Sequence, residues 1–147
     1  MTERFELFTV LITKINRNIK KIKNREMAEY GLRSIHVSCL YYLYSAKGLT
    51  ATDLCERCEE DKASISRALE YLEQTGFVAV QSQTVKRYKA PLSLTEQGEK
   101  VGKEIFDKVQ RVLDEVGAAL SEEERSVFYR SLSAISERLE TVTSSME

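Results

Sequence analysis

Proline occurs once in this sequence, at position 91, and glycine only six times in 147 residues. Long stretches therefore contain nothing that breaks a helix, and a mostly helical chain is the expectation. The glycines punctuate it. Gly31, Gly48 and Gly76 each follow an apolar-periodic stretch, where a helix is expected to stop.

In residues 5 to 22 the apolar positions Phe5, Phe8, Ile12, Ile15, Ile19 and Ile22 are spaced 3, 4, 3, 4, 3. That is a heptad seam, narrower than the stripe of a helix lying on a globular core, and it asks for a partner helix. Lys14, Arg17, Lys20, Lys21, Lys23 and Arg25 give this arm a basic outer face. After Gly31, apolar residues cover most of the circumference of a second helix, Arg33 to Ala46, which reads as a central buried strut. His36 lies one turn before Cys39 in it. The pair at i, i+3 fits either a shared metal or a hydrogen-bonded core histidine, and the core reading is preferred.

Thr50-Ala-Thr-Asp53 has the form of a capping box opening a short third helix, about Ala51 to Glu59. Asp61 can cap the next one, whose apolar residues Ile65, Ala68, Leu69 and Leu72 form a single stripe. Lys62, Ser64, Ser66 and Arg67 then crowd its exposed first two turns. Two short helices joined by a tight turn, the second presenting hydroxyls and cations at its start, suit the major groove of DNA. A solvated helix face is the alternative.

Beyond Gly76, Val78 and Val80 and then Tyr88, Ala90, Leu92 and Leu94 alternate with polar residues, which predicts a hairpin with its tip at Gln81 to Arg87. Pro91 confines the second strand to an edge. Lys86, Arg87 and Lys89 place cations beside the helix. Thr95 caps a long helix to about Ala119, and Ser121-Glu-Glu-Glu124 boxes the start of a last one. There Phe128, Leu132, Ile135, Leu139 and Val142 repeat the 4, 3, 4, 3 spacing. Both ends of the chain thus carry seams, most simply those of a two-fold homodimer. The expected organisation is an N-terminal dimerisation helix (1–30), a helix-turn-helix module with a wing (31–95) and C-terminal dimerisation helices (96–147), together one compact domain per subunit.

The net charge of −1 is no objection to a nucleic-acid partner, because the charges are segregated. Residues 1–30 and 62–89 each carry a surplus of three cations, and residues 96–147 a surplus of five acids. Local potential, not the sum, steers a protein onto phosphates. No run of about 18 uncharged apolar residues occurs, and the N-terminal apolar stretch is broken by Glu6 and Lys14. With three cysteines, an odd number, the chain reads as cytoplasmic, reduced and free of membrane contact. One histidine and no glycine-rich phosphate loop leave nothing for an enzyme to work with, and no cofactor or metal is expected.

Leu49-Thr50-x-x-Asp53-Leu54, then Asp61-Lys62-Ala63-Ser64-Ile65-Ser66-Arg67-x-Leu69-x-x-Leu72-x-x-x-Gly76-Phe77-Val78, then Leu94-Thr95-Glu96-x-Gly98 resemble the multiple antibiotic resistance regulator (MarR) family of winged-helix repressors. The resemblance extends over nearly the whole chain. It implies a mainly α protein with a small β-hairpin wing, a dimer closed by its first, fifth and sixth helices, and binding to pseudo-palindromic operators in double-stranded DNA. It puts Lys62, Ser64, Ser66 and Arg67 at the DNA. The wing departs from the pattern: counting back from Leu94-Thr95, the family's acidic residue falls on Lys86 and its tip arginine on Tyr88, so Arg87 becomes the candidate for the minor groove, with Lys86 and Lys89 on phosphates. Some relatives bind small aromatic anions, for which Tyr30, Tyr41, Tyr42 and Tyr44 are candidate lining residues, although core and interface roles are the preferred reading. Others sense oxidants through cysteine, for which Cys55 and Cys58 are candidates, with a structural pair preferred. A transcriptional repressor, released by a small molecule or an oxidant, is the leading function. A winged-helix protein–protein adaptor without sequence-specific DNA binding is the alternative, and the cations at helix start and wing speak against it.

Overall fold

Each expected helix forms, and those that follow Thr50, Asp61 and Ser121 begin at these caps. In the computed structural model, which describes residues 5–79 and 88–147 and at Phe5 the backbone alone, α1 runs Phe5–Glu26, α2 Ser34–Ser45, α3 Ala51–Cys58, α4 Lys62–Gln74, α5 Glu96–Gly117 and α6 Glu122–Ser144. A 3-10 turn at Ala28–Tyr30 follows α1 and closes on Gly31 in the left-handed region, φ 71°. The tip residues Gln81 to Arg87, with Lys86 and Arg87 among them, lie outside the described residues.

The caps are local and well formed. Thr50 Oγ1 accepts from the Asp53 N–H at 3.2 Å while the Asp53 carboxylate accepts from the Thr50 N–H at 2.9 Å. Ser121 and Glu124 repeat the exchange, each bond 3.1 Å. Such boxes satisfy first-turn donors that no helical carbonyl can reach.

The chain divides into two compact units, residues 1–107 and 108–147, the boundary falling inside α5. In the first, α2 packs against α1, α3 and α4, and α3 against α4. Leu40, Leu54, Ile65, Leu72, Val101 and Ile105 are at most 1% exposed and form its centre. Full burial of side chains of this size stabilises by roughly 1.5–3 kcal/mol each. α2 is the strut that its composition predicts, with Val37, Cys39, Leu40 and Leu43 all buried. The second unit has no buried residue in α6.

The second strand of the expected hairpin is not continuous. Tyr88 to Ala90 is a turn, and among the described residues the pairing is one antiparallel bridge, Val78 to Leu94, flanked by Ala79 N–H to Ser93 O at 2.9 Å and Thr95 N–H to Phe77 O at 3.1 Å. Leu92 instead donates to Leu49 O at 2.8 Å. Pro91 has no N–H for a ladder, and Ala90 and Leu92, both buried, follow the core rather than the sheet.

Candidate nucleic-acid interface

α4 owes its orientation to its two faces. Ile65, Ala68, Leu69 and Leu72 are buried, so the opposite face is turned outward by packing alone. Asp61 Oδ1 accepts from the Ser64 N–H at 2.7 Å, which fixes the helix start and holds the Asp61 carboxyl below its usual pKa. Lys62 and Arg67 are exposed, while Ser64 and Ser66 are half-buried. Arg67 Nη2 donates to Ser64 Oγ at 3.3 Å across one turn. Of the four residues singled out in α4, the structure thus joins Arg67 to Ser64 directly. Lys89 is exposed as well, one residue from a tyrosine that touches α4.

That tyrosine, Tyr88, is what a sequence reading misses. Its hydroxyl lies 3.0 Å from Ser66 Oγ, and Lys62 Nζ sits 3.8 Å from the centre of its ring. Thr52 Oγ1 donates to its carbonyl at 3.4 Å. The turn at residues 88–90 is therefore joined to α3 and α4 through one side chain and one carbonyl.

Behind the interface a clamp sets the angle between the end of α4 and the start of α5. Gly76, at φ 84°, ends α4 in a conformation that favours glycine. Thr95 Oγ1 donates to Gly76 O at 2.6 Å and lies 3.2 Å from Phe77 O, while accepting from the Gly98 N–H at 3.0 Å. A Cβ at Gly98 would lie 1.9 Å from Phe77 O, so only glycine permits this approach.

The other candidate residues are dispersed. Tyr30 donates to Glu104 Oε2 at 2.8 Å, and that carboxylate raises the phenol's pKa. Tyr41 and Tyr44 lie against Phe106 of α5, centroids 5.8 and 5.7 Å apart, whereas Tyr42 faces α3, with the Arg57 guanidinium 5.9 Å from its ring centre. A groove of about 720 Å³ is lined by Lys20, Asn24, Arg33 and Glu60 among others, rather than by these four tyrosines.

His36 is a core residue: its Nδ1 accepts from the Arg33 N–H at 3.0 Å and its ring stacks on Tyr71 at 4.5 Å. Burial, aided by Arg33, lowers its pKa below 6.5. The neighbouring Cys39 and Cys58 thiols, on α2 and α3, shift each other's pKa: that of Cys58 is lowered and that of Cys39 pushed well above the thiol range. Cys55, whose pKa is raised chiefly by burial, is not the partner in that pair. Among the described residues no group of three or more His, Cys, Asp or Glu side chains could hold a metal ion, and no helix is long and apolar enough to cross a membrane.

The seam residues of both terminal helices are open to solvent in the single chain. Ile12, Ile15, Ile19 and Ile22 of α1 are 38–48% exposed, and Phe128, Ile135, Leu139 and Val142 of α6 are 40–44% exposed. Leu7, Val10 and Leu11 widen the first surface beyond the heptad seam, as Val127 and Tyr129 widen the second. Phe8 and Leu132 are half-buried.

Residues 30–87 match the family model described as MarR family. The HTH-type transcriptional repressor YetL of Bacillus subtilis (strain 168) is 29% identical over 140 residues, covering 91% of this chain and 81% of YetL. The HTH-type regulator YwoH of the same organism is 28% identical, over 80% of this chain and 88% of its own. Among solved structures, MarR superposes with a TM-score of 0.73 at 25% identity, covering 97% of this chain and 96% of that one. The MepR–DNA complex of S. aureus superposes at 0.79 and 21% identity, covering 90% and 97%.

Proposed function

We propose that this chain, whose residues 30–87 match the MarR family model, is a dimeric transcriptional regulator of that family that binds double-stranded DNA and represses from pseudo-palindromic operators. The observation that carries the reading is the start of α4. An N-capped helix turns Lys62, Ser66 and Arg67 outward because Ile65, Leu69 and Leu72 are buried behind them. Hydroxyl and guanidinium groups on a projecting helix match the donor and acceptor pattern of major-groove base edges. In this reading Arg67 and Ser66 meet bases, Lys62, Ser64 and Lys89 meet the backbone, and Lys86 and Arg87 extend the contact through the wing. The exposed apolar rows on α1 and α6 support a second copy across a two-fold axis. Residues 1–30 and 96–147 then serve assembly and residues 31–95 serve DNA.

Tyr30, Tyr41, Tyr42 and Tyr44 each have a partner within the chain, so the proposal assigns them to packing and to no effector site. The protein–protein adaptor reading is disfavoured by the exposed cations of α4 and Lys89, which an adaptor has no reason to cluster.

Selection of duplexes from random DNA tests the reading. A two-fold dimer should enrich an inverted repeat with half-sites about 10 bp apart. Arg67→Ala should lose about 1–3 kcal/mol per half-site and flatten preference at particular base pairs. Recovery of unselected sequence by the wild-type protein would refute it.

A further inference from the structure

We propose that Tyr88 is a positioning residue for DNA reading: it holds the side chains of Ser66 and Lys62 in place, so that the wing base and α4 meet DNA as one preformed surface. The inference rests on the DNA-binding reading above. Its ground is a convergence of contacts that no local pattern requires. Tyr88 is 22 residues from Ser66, yet the two hydroxyls are 3.0 Å apart, and the same ring lies 3.8 Å from Lys62 Nζ. Thr52, on α3, donates to the Tyr88 carbonyl at 3.4 Å. Ala90 at the end of the turn and Leu92 beyond it are buried, and Leu92 donates to Leu49 O. Tyr88 thus stands on the folded core, two residues from a buried anchor.

The chemistry gives the contact a direction. A phenol is the more acidic of the two hydroxyls, so in this pair Tyr88 is the better donor and Ser66 the better acceptor. Ser66 then keeps its own O–H free to donate. A donor at a base edge selects acceptors, which are O6 and N7 of guanine, N7 of adenine and O4 of thymine, over the amino group of cytosine. A serine hydroxyl without a fixed partner rotates and accepts either pattern. Tyr88 therefore gives a discriminating role to a residue that alone has little. Lys62 gains differently: a long exposed side chain loses rotamer freedom when it binds, and one already parked on an aromatic face loses less on meeting phosphate.

Tyr88→Phe removes the hydroxyl and keeps the ring; Tyr88→Leu removes both. Each is measured against the duplex that the wild-type dimer selects and against single-base variants of it, with thermal unfolding as the folding control. Tyr88→Phe should weaken binding to the selected duplex about three- to tenfold per half-site, flatten preference at one base pair per half-site and leave the salt slope unchanged. In a Ser66→Ala background the same change should have no further effect, because the hydroxyl acts through Ser66. Tyr88→Leu should in addition weaken binding to every sequence, an effect that Lys62→Met removes. A packing role alone would shift unfolding and affinity for all sequences together, so it would not reproduce the single-base signature. If the wild-type protein selects a site but Tyr88→Phe reads every base pair as the wild type does, or if its effect adds to that of Ser66→Ala, the positioning role is refuted while DNA reading stands. If the wild-type protein selects no site, DNA reading itself fails.

Discussion

Replacing Gly98 by alanine separates two arguments that predict opposite signs. Gly98 lies in the first turn of α5, and its φ is not in the left-handed region, so helix propensity favours alanine there by about 1 kcal/mol. Close approach says the reverse. An alanine Cβ would stand 1.9 Å from Phe77 O and 3.2 Å from Leu94 Cβ, where ordinary contact begins near 3.4 Å. The α5 start must therefore withdraw by about 1.5 Å, the difference between those two distances to Phe77 O. Phe77 O is also where the Thr95 N–H donates at 3.1 Å, and Thr95 Oγ1 donates to Gly76 O at 2.6 Å. A withdrawal of that size takes both bonds, and the weaker 3.2 Å contact between Thr95 Oγ1 and Phe77 O, out of range. Two to three part-buried bonds at about 1 kcal/mol each, less the propensity gain, leave a net loss of about 1–2 kcal/mol. Urea unfolding followed by circular dichroism, at one fixed protein concentration, should move the midpoint down by about 0.5–1 M at the slopes usual for small proteins. An unchanged or higher midpoint would show that the α5 start yields without cost, and the clamp argument would be wrong.

Ile15, mid-seam on α1 and 48% exposed in the single chain, should tolerate aspartate within one subunit but not between two; sedimentation of Ile15→Asp should show loss of the dimer, and a wild-type monomer at micromolar concentration would overturn the assembly. His36 has a folded-state pKa below its ordinary 6.5, so between those two values the unfolded chain binds more protons and stability falls as pH drops, by at most about 1.4 kcal/mol per pH unit. His36→Gln should flatten that decline as the pH falls below about 6.5, and an identical slope in both proteins would place its cause elsewhere.

What was legible in the sequence is what is local. Asp61 with Ser64, Thr50 with Asp53 and Ser121 with Glu124 are all three residues apart, so the covalent chain itself brings each cap to its partner. The stripe on α4 and the circumference of α2 are equally local patterns, and they fix which faces are buried. The residues that α4 turns outward follow from the stripe. Contacts between distant residues were not legible. Cys58 resembles a partner for Cys55 in spacing, yet the thiol that most shifts its pKa is that of Cys39, because α2 packs against α3. Tyr88 alternates like a strand residue, but a turn there sends its ring onto α4. Pro91 signalled that the ladder would be poor; it did not signal that Leu92 would bond Leu49 instead.

The distribution of burial makes assembly and stability one question for the second unit. Burial along α5 ends at Ile105, and nothing in α6 is buried within the single chain. Yet this unit carries Val116 at 66% exposure and Val127, Phe128, Tyr129, Ile135, Leu139 and Val142 at 40–57%. Two helices of this length, without an apolar interior, cannot offset the conformational entropy of ordering some 40 residues at about 1–2 kcal/mol each. Their order must come from apolar surface outside the unit. Supplied by a second copy of the chain, that surface makes the stability of these helices depend on protein concentration, whereas the first unit, with its own centre at Leu54, Ile65 and Leu72, should hold without it. Dilution should therefore loosen α6 before it touches α4, and the proposed DNA surface should outlast the proposed contact between two copies.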